Sequence, residues 1–204
     1  MMVGLLKPTS GRVIINDKDI HAQKDYLEAK RMLAYIPDQP FTYDKLSGRE
    51  FLGFVGSIYK IEQKLFKDES DKYISMFQMS EYIDQLVETY SLGMKQRLII
   101  SASFLHQPEI IVVDEPLVGL DPVSTRLVKE LFRSQVKEKG KTIFMSTHLL
   151  PIAEEIADKI GIIENGSLIA KGTMAELKKQ AKKEGKLEDL FMSLTGQCEP
   201  ESNI

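Results

Sequence analysis

Cysteine is almost absent: one residue, Cys198, stands near the C-terminus of the 204-residue chain. A single thiol makes neither an intrachain disulfide nor a cysteine metal cluster, and the chain reads as one from a reducing compartment, the cytosol. Long apolar runs are missing too. The longest are short stretches such as Ile110-Ile111-Val112-Val113, far from the roughly 18 residues of a membrane span. The opening, Met1-Met2-Val3-Gly4-Leu5-Leu6-Lys7-Pro8, lacks the basic region, long apolar stretch and small-residue cleavage site of a signal peptide. A basic surplus is also lacking. Lys and Arg total 27 against 30 Asp and Glu, a formal net charge of -3, so a general phosphate-backbone binder is excluded and nucleic acid is not an expected partner. What is present is 43% hydrophobic and 28% charged residues, the balance of a soluble globular protein of one domain with an appendage.

The periodicity predicts an alternation of strands and helices. Residues 1–5 read as a helix tail stopped by Pro8 and a Ser10-Gly11 turn, with a short strand over 12–15. A helical stretch over 26–31 leads into a strand over 33–36, after which Pro37, Asp38 and Pro40 force a loop. From Ser47-Gly48-Arg49-Glu50, a capping box, the pattern is helical through Phe77 and again from Ile83. Ile110-Ile111-Val112-Val113 is apolar on both alternations, as a strand buried on both faces of a parallel sheet requires. A helix from Pro122 to about Lys139 and a strand over 142–145 complete a strand-helix-strand crossover. Then come a helix over 152–157 and strands over 160–164 and 168–170, joined by the hairpin dipeptide Asn165-Gly166. A lysine-rich helix begins at Met174, and a second helix covers 187–194. Lys178, Lys179, Lys182 and Lys183 form a basic face, read as solvated.

Chemistry concentrates at strand ends. Asp114-Glu115 closes the buried strand, and ligand sites of open parallel sheets lie at the C-terminal ends of strands. Asp114 suits a magnesium ion and Glu115 a water to be activated; a solvated acidic turn is the equal alternative. Gly119-Leu120-Asp121-Pro122 comes shortly after, and Ser146-Thr147-His148 stands at the next strand end. His148 there either binds a terminal phosphate or polarises water, or caps a helix. His21 and His106 lack such a setting and read as surface residues. Upstream, Tyr90-Ser91-Leu92-Gly93-Met94-Lys95-Gln96-Arg97 opens a helix with free backbone N–H groups, which is an anion site or simply a good N-cap at Ser91.

In series, these pieces resemble the nucleotide-binding domain of ABC-type transporters over nearly the whole chain. Ser91 to Met94 is similar to the signature motif, Asp114 and Glu115 to the Walker B acid and catalytic glutamate, residues 119–121 to the D-loop, and His148 to the H-loop switch. The segment Leu5-Leu6-Lys7-Pro8-Thr9-Ser10-Gly11 resembles the family's stretch just after the Walker A helix. The resemblance implies an α/β, P-loop NTPase-like ABC ATPase core over 1–172, a helical subdomain over about 40–106 and a C-terminal helical extension over 173–204. It implies ATP and Mg2+ as cofactors, with Glu115 polarising water, Asp114 holding magnesium and His148 contacting the γ-phosphate. Ser91 and Gly93 would close over ATP from an opposing subunit, with Asp121 beside it. The implied partners are a second ATP-binding subunit, identical or not, and a membrane-spanning permease, which places the chain in the cytoplasm on the inner face of the membrane. Leu187-Glu188-Asp189-Leu190-Phe191 is similar, more narrowly, to drug exporter subunits.

Three departures stand out. The family's Q-loop glutamine falls on Asp38, with Gln39 one place later, and either can supply an oxygen ligand. Tyr90 and Leu92 stand where many members have Leu and Gly. The pattern G-x-x-x-x-G-K-[ST], whose amides and lysine hold phosphates, occurs nowhere in the 204 residues. Gly140-Lys141-Thr142 has its ending but enters a strand, with Gln135 at the earlier glycine position. The chain thus reads as cut within the helix after the phosphate loop, missing its N-terminal strands and inactive alone. The rival reading is a non-catalytic subunit or fragment that completes a partner's composite ATP site. A soluble ABC protein of translation or repair is disfavoured by the lack of heptads and of a second cassette.

Overall fold

The computed structural model describes residues 1–196, so Cys198 lies outside the described residues. Two compact units divide the chain, Met1–Ser146 and Thr147 onward.

The first unit begins in turns. Residues 1–5 do not form the expected helix: the Gly4 amide donates to the Met1 carbonyl at 2.9 Å, with Gly4 at φ +74°. So short a segment makes too few hydrogen bonds to offset helix nucleation. A hairpin comes next, β1 (Ile14–Ile15) against β2 (Lys18–Asp19), and Asn16 and Asp17 both take the positive φ of a two-residue turn. The strand expected over 12–15 is therefore two residues long. Beyond it lie α1 (Tyr26–Arg31) and β3 (Leu33–Ile36), on their expected spans.

The helical stretch opens with α2 (Gly48–Tyr59), whose capping box is formed in both directions: Ser47 Oγ accepts from Glu50 N at 3.2 Å and Glu50 Oε2 accepts from Ser47 N at 2.8 Å. Lys60 in the left-handed region ends α2, and α3 (Gln63–Met76) succeeds it. The helical pattern expected from Ile83 yields only a 3-10 turn at Val87–Thr89. The reason is tertiary. The Ile83 and Gln85 carbonyls accept from the Arg49 and Gly48 amides at 2.9 and 3.4 Å, which removes acceptors that a continuous helix would need.

From there α4 (Leu92–Phe104) runs to the sheet, and β4 (Ile110–Asp114), α5 (Pro122–Lys137) and β5 (Thr142–Ser146) complete the unit. The sheet order is β3-β4-β5, all parallel, with Ile36 opposite Val113 and Asp114 opposite Ser146. Its middle strand is the apolar run: Ile111 and Val113 are fully buried and Val112 nearly so. Burying each such side chain contributes about 2 kcal/mol, which fixes β4 at the centre. The outer edge of β5 carries no strand among the described residues, and Phe144 is 45% exposed.

His21 and His106 are not surface residues; both are half-buried. The His106 ring stacks on Tyr59 with centroids 3.8 Å apart and 12° between planes, and its Nε2 lies 3.3 Å from the Leu33 carbonyl. Neither partner is near His106 in sequence, so local pattern carried no sign of them.

The second unit contains α6 (Leu150–Ile156), the antiparallel pair β6 (Ile160–Glu164) and β7 (Ser167–Gly172), α7 (Met174–Ala181) and α8 (Leu187–Leu194). Asn165 and Gly166 both adopt positive φ in the hairpin turn, as expected. Its core is Ile162, Ala170, Leu177, Leu187 and Leu190. Glu154 accepts from the Leu187 amide at 2.9 Å and so holds the N-terminus of α8.

Candidate functional site

The polar residues of the first unit collect where the parallel strands end. Asp114 is the last residue of β4, and its Oδ1 accepts a hydrogen bond from Ser146 Oγ, at the end of β5, at 2.6 Å. The register makes this meeting obligatory, since Asp114 and Ser146 are direct neighbours across the ladder. Glu115 comes next with φ +45°, its amide bonded to the Ser146 carbonyl at 3.0 Å. A left-handed backbone costs a glutamate roughly 1–2 kcal/mol, a cost found here at the residue proposed for catalysis.

Asp38 and Gln39 lie exposed in the loop after β3 and Pro37. Burial raises the Tyr35 phenol pKa, and the charges of Asp114 and Asp38 raise it further. The charges of Asp38 and Asp114 thus act on the same phenol. Ser146 and Tyr35 were not singled out by sequence reasoning. Tyr35 left no motif signal, but Ser146 stood at a strand end.

Ser91 is the N-cap of α4: its Oγ accepts from Met94 N at 3.3 Å. The first turn of α4 is fitted against the loop after Glu115. A Cβ on Gly93 would stand 3.1 Å from the Gly119 carbonyl oxygen, and one on Gly119, at φ +78°, would stand 2.8 Å from Leu92 Cδ2. Buried Gln96 reaches the Pro116 carbonyl at 3.4 Å, and Arg97 ion-pairs with Asp121.

The Asp121 carboxylate is occupied. Its Oδ1 accepts from Ser124 N at 2.9 Å, capping α5, and its Oδ2 accepts from Ser124 Oγ at 2.5 Å and from Arg97. Hydrogen bonds from the Ser124 hydroxyl and amide, then from Arg97, hold its carboxyl well below the usual carboxylate range. Asp121→Ala should therefore lower unfolding stability by roughly 1–2 kcal/mol through the lost cap, and Asp121→Asn by less, as urea denaturation of the two variants would measure. Equal losses would show that the charge, not the cap, matters. His148 lies two residues past β5, in the second unit, where its carbonyl accepts from the Leu150 amide at 3.1 Å.

An acidic pair at the end of a central parallel strand, with helices connecting the strands, defines an α/β core of the P-loop NTPase kind. A family model described as "ABC transporter" matches residues 1–118. The bacitracin transport ATP-binding protein BcrA of Bacillus licheniformis is 36% identical over 183 residues, 90% of this chain and 58% of that protein. The ABC-type transporter ATP-binding protein EcsA of Bacillus subtilis is 31% identical over 195 residues, 95% of this chain and 78% of that one. Among solved structures, an ATP-binding subunit of an ABC transporter superposes with a TM-score of 0.88 at 28% identity, covering 95% of this chain and 80% of that one. The chain belongs to the family of ABC transporter ATP-binding proteins. Members of this family bind and hydrolyse ATP. The chain spans 58% of the length of the bacitracin transport relative.

Proposed function

We propose that the chain is the ATP-binding and ATP-hydrolysing subunit that powers a membrane exporter, lying in the cytoplasm on the inner face of the membrane with a permease and a second ATP-binding subunit. The observation that carries this reading is the meeting of Asp114 and Ser146 at the strand ends, with Glu115 next to them and the Asp121 loop fitted to the α4 N-terminus. The cassette proposed is residues 1–172 with a helical subdomain over about 40–106, where α2 and α3 both contact α4. Residues 173–204 form its extension.

Magnesium fits the residues present. The Asp114 carboxylate and the Ser146 hydroxyl are hard oxygen donors 2.6 Å apart at the strand ends. That matches an ion that takes one or two carboxylates and fills its shell with water and phosphate oxygens. Bound as the ATP complex, it would supply charge neutralisation for phosphoryl transfer, which is mostly positioning and electrostatics. In this scheme Asp114 holds the ion. Asp38, rather than Gln39, is the Q-loop ligand we favour. Glu115 accepts the proton of the attacking water. Ser91 and Gly93 cover the ATP held by the opposing subunit.

Among the described residues no helix is long and apolar enough to cross a membrane. Yet one aromatic patch faces outward: Phe41, Tyr43 and Phe54 stack edge to face, with centroids 5.9 and 5.2 Å apart, and Ile58 lies one turn further on α2. Phe41 is 73% exposed.

A second reading, a subunit that only completes a partner's site, is favoured by the lack of any G-x-x-x-x-G-K-[ST] pattern in these residues. The purified transporter assembly separates the two. If this chain hydrolyses ATP in its own site, Glu115→Gln and Ser91→Arg each suppress turnover. If it is only a completing subunit, Ser91→Arg suppresses turnover and Glu115→Gln leaves it unchanged. No ATPase activity in the assembly would overturn both.

A further inference from the structure

Tyr90 stands one residue before Ser91, and it is only 6% exposed. Its hydroxyl donates to the Tyr82 carbonyl at 2.7 Å, and the two rings meet edge to face with centroids 5.1 Å apart and 89° between planes. The hydroxyl ends against Gly48: a Cβ there would lie 2.5 Å from it, 2.9 Å from Ile83 Cδ1 and 3.0 Å from the Ile83 carbonyl oxygen. Gly48 has an ordinary helical φ, so its glycine answers to space and not to backbone conformation. A leucine has no hydroxyl and does not reach as far.

Around this pair the chain segments 44–49 and 83–90 are laced together. Arg49 N donates to Ile83 O at 2.9 Å, Val87 N to Leu46 O at 2.9 Å and Glu88 N to Asp44 O at 3.1 Å. Ser47 bridges to Leu86, Arg49 pairs with both oxygens of Asp84 at 2.6 and 3.1 Å, and Lys45 pairs with Glu88 at 2.6 Å. From α4 itself, Lys95 reaches Asp44 at 3.0 Å. One segment leads from the loop carrying Asp38. The other ends on Ser91.

We infer that Tyr90 is a positioning residue for Ser91: its hydroxyl, seated against Gly48, pins the segment after the Asp38 loop to the turn that presents the signature serine, so that the two move as one piece. The role assigned to Ser91 rests on the function proposed above, but the pinning itself does not involve nucleotide and is tested without it.

The test uses the full chain. Gly48→Ala should lower the thermal midpoint by about 5 °C, and Tyr90→Phe alone by much less. In the double variant the closest atom to the new Cβ is gone, so at least half of the Gly48→Ala loss should return. A double variant no more stable than Gly48→Ala would overturn the fit. Positioning is read separately. The chain has no tryptophan, so Leu92→Trp, beside Ser91, gives a single fluorescent reporter. Tyr90→Leu should lower its anisotropy, whereas Tyr73→Phe, a change at a buried tyrosine of α3, should not. Equal responses would reduce Tyr90 to a packing residue. If the reporter and the double variant behave as expected but Ser91→Arg leaves the assembly's turnover intact, the pinning stands and the function proposed for Ser91 falls.

Discussion

Replacing Glu115 by glutamine is expected to slow ATP turnover of the purified transporter assembly by about 10²–10⁴-fold, the usual contribution of a positioned general base, with nucleotide binding retained. The amide keeps the shape of the side chain and loses only the ability to take a proton. Asp114→Asn should behave differently. Its carboxylate sits at the β4 end within 2.6 Å of the Ser146 hydroxyl, so neutralising it removes a hard anionic oxygen, and magnesium-dependent binding should weaken along with the rate. Binding measured with and without magnesium separates the two variants. If Glu115→Gln loses affinity to the same extent as Asp114→Asn, Glu115 is a binding group and the base lies elsewhere.

The second large effect is a loss of stability in mild acid, centred on His106. Burial pushes its pKa down to about 4; the hydrogen bond to the Leu33 carbonyl opposes this less strongly, and the charge of Lys141 adds a smaller downward push. The geometry gives the same direction. Nε2 faces the Leu33 carbonyl as a donor, and Nδ1 is buried with no hydrogen-bond partner among the described residues, so a proton added there has nothing to bond to among them. The folded chain therefore takes up this proton at lower pH than the unfolded chain, whose histidine titrates near the ordinary value of 6.5. Stability is complete above that value and falls as pH drops toward 4, by at most roughly 3 kcal/mol. Urea denaturation at pH 7.5 and pH 4.5 should show this loss, and His106→Phe, which keeps a ring against Tyr59, should lose less between the two. Identical pH sensitivity in the variant would place the titrating group elsewhere.

Much of the fold was legible because it is locally encoded. The double-sided apolar run 110–113, the Ser47 and Glu50 capping box, Pro122 at the start of α5 and Asn165-Gly166 in its hairpin are each written in adjacent residues, and α1, β3 and α8 fell on their expected spans. The failures share a cause. Residues 83–90 have a helical pattern but hand their carbonyls to residues 48 and 49, and His106 is buried by Tyr59 and Leu33, partners 47 and 73 residues away. No window along the chain contains both halves of such contacts. At the candidate site, motif order singled out Asp114, Glu115, Ser91 and Asp121 as candidates. The cross-strand partner Ser146 emerged from the register, and the Arg97 pairing of Asp121 from the approach of α4 to the loop before α5.

The bare margin of β5 bears on how the chain behaves in a test tube. Five residues, about 16 Å of backbone, present N–H and C=O groups along an edge with no strand on it among the described residues, and Phe144 is exposed on that strand. Such an edge is a template on which another polypeptide can add a strand. Colloidal behaviour of the isolated chain should therefore follow concentration more steeply than its net charge of -3 suggests, because a small charge gives little long-range repulsion to keep molecules apart.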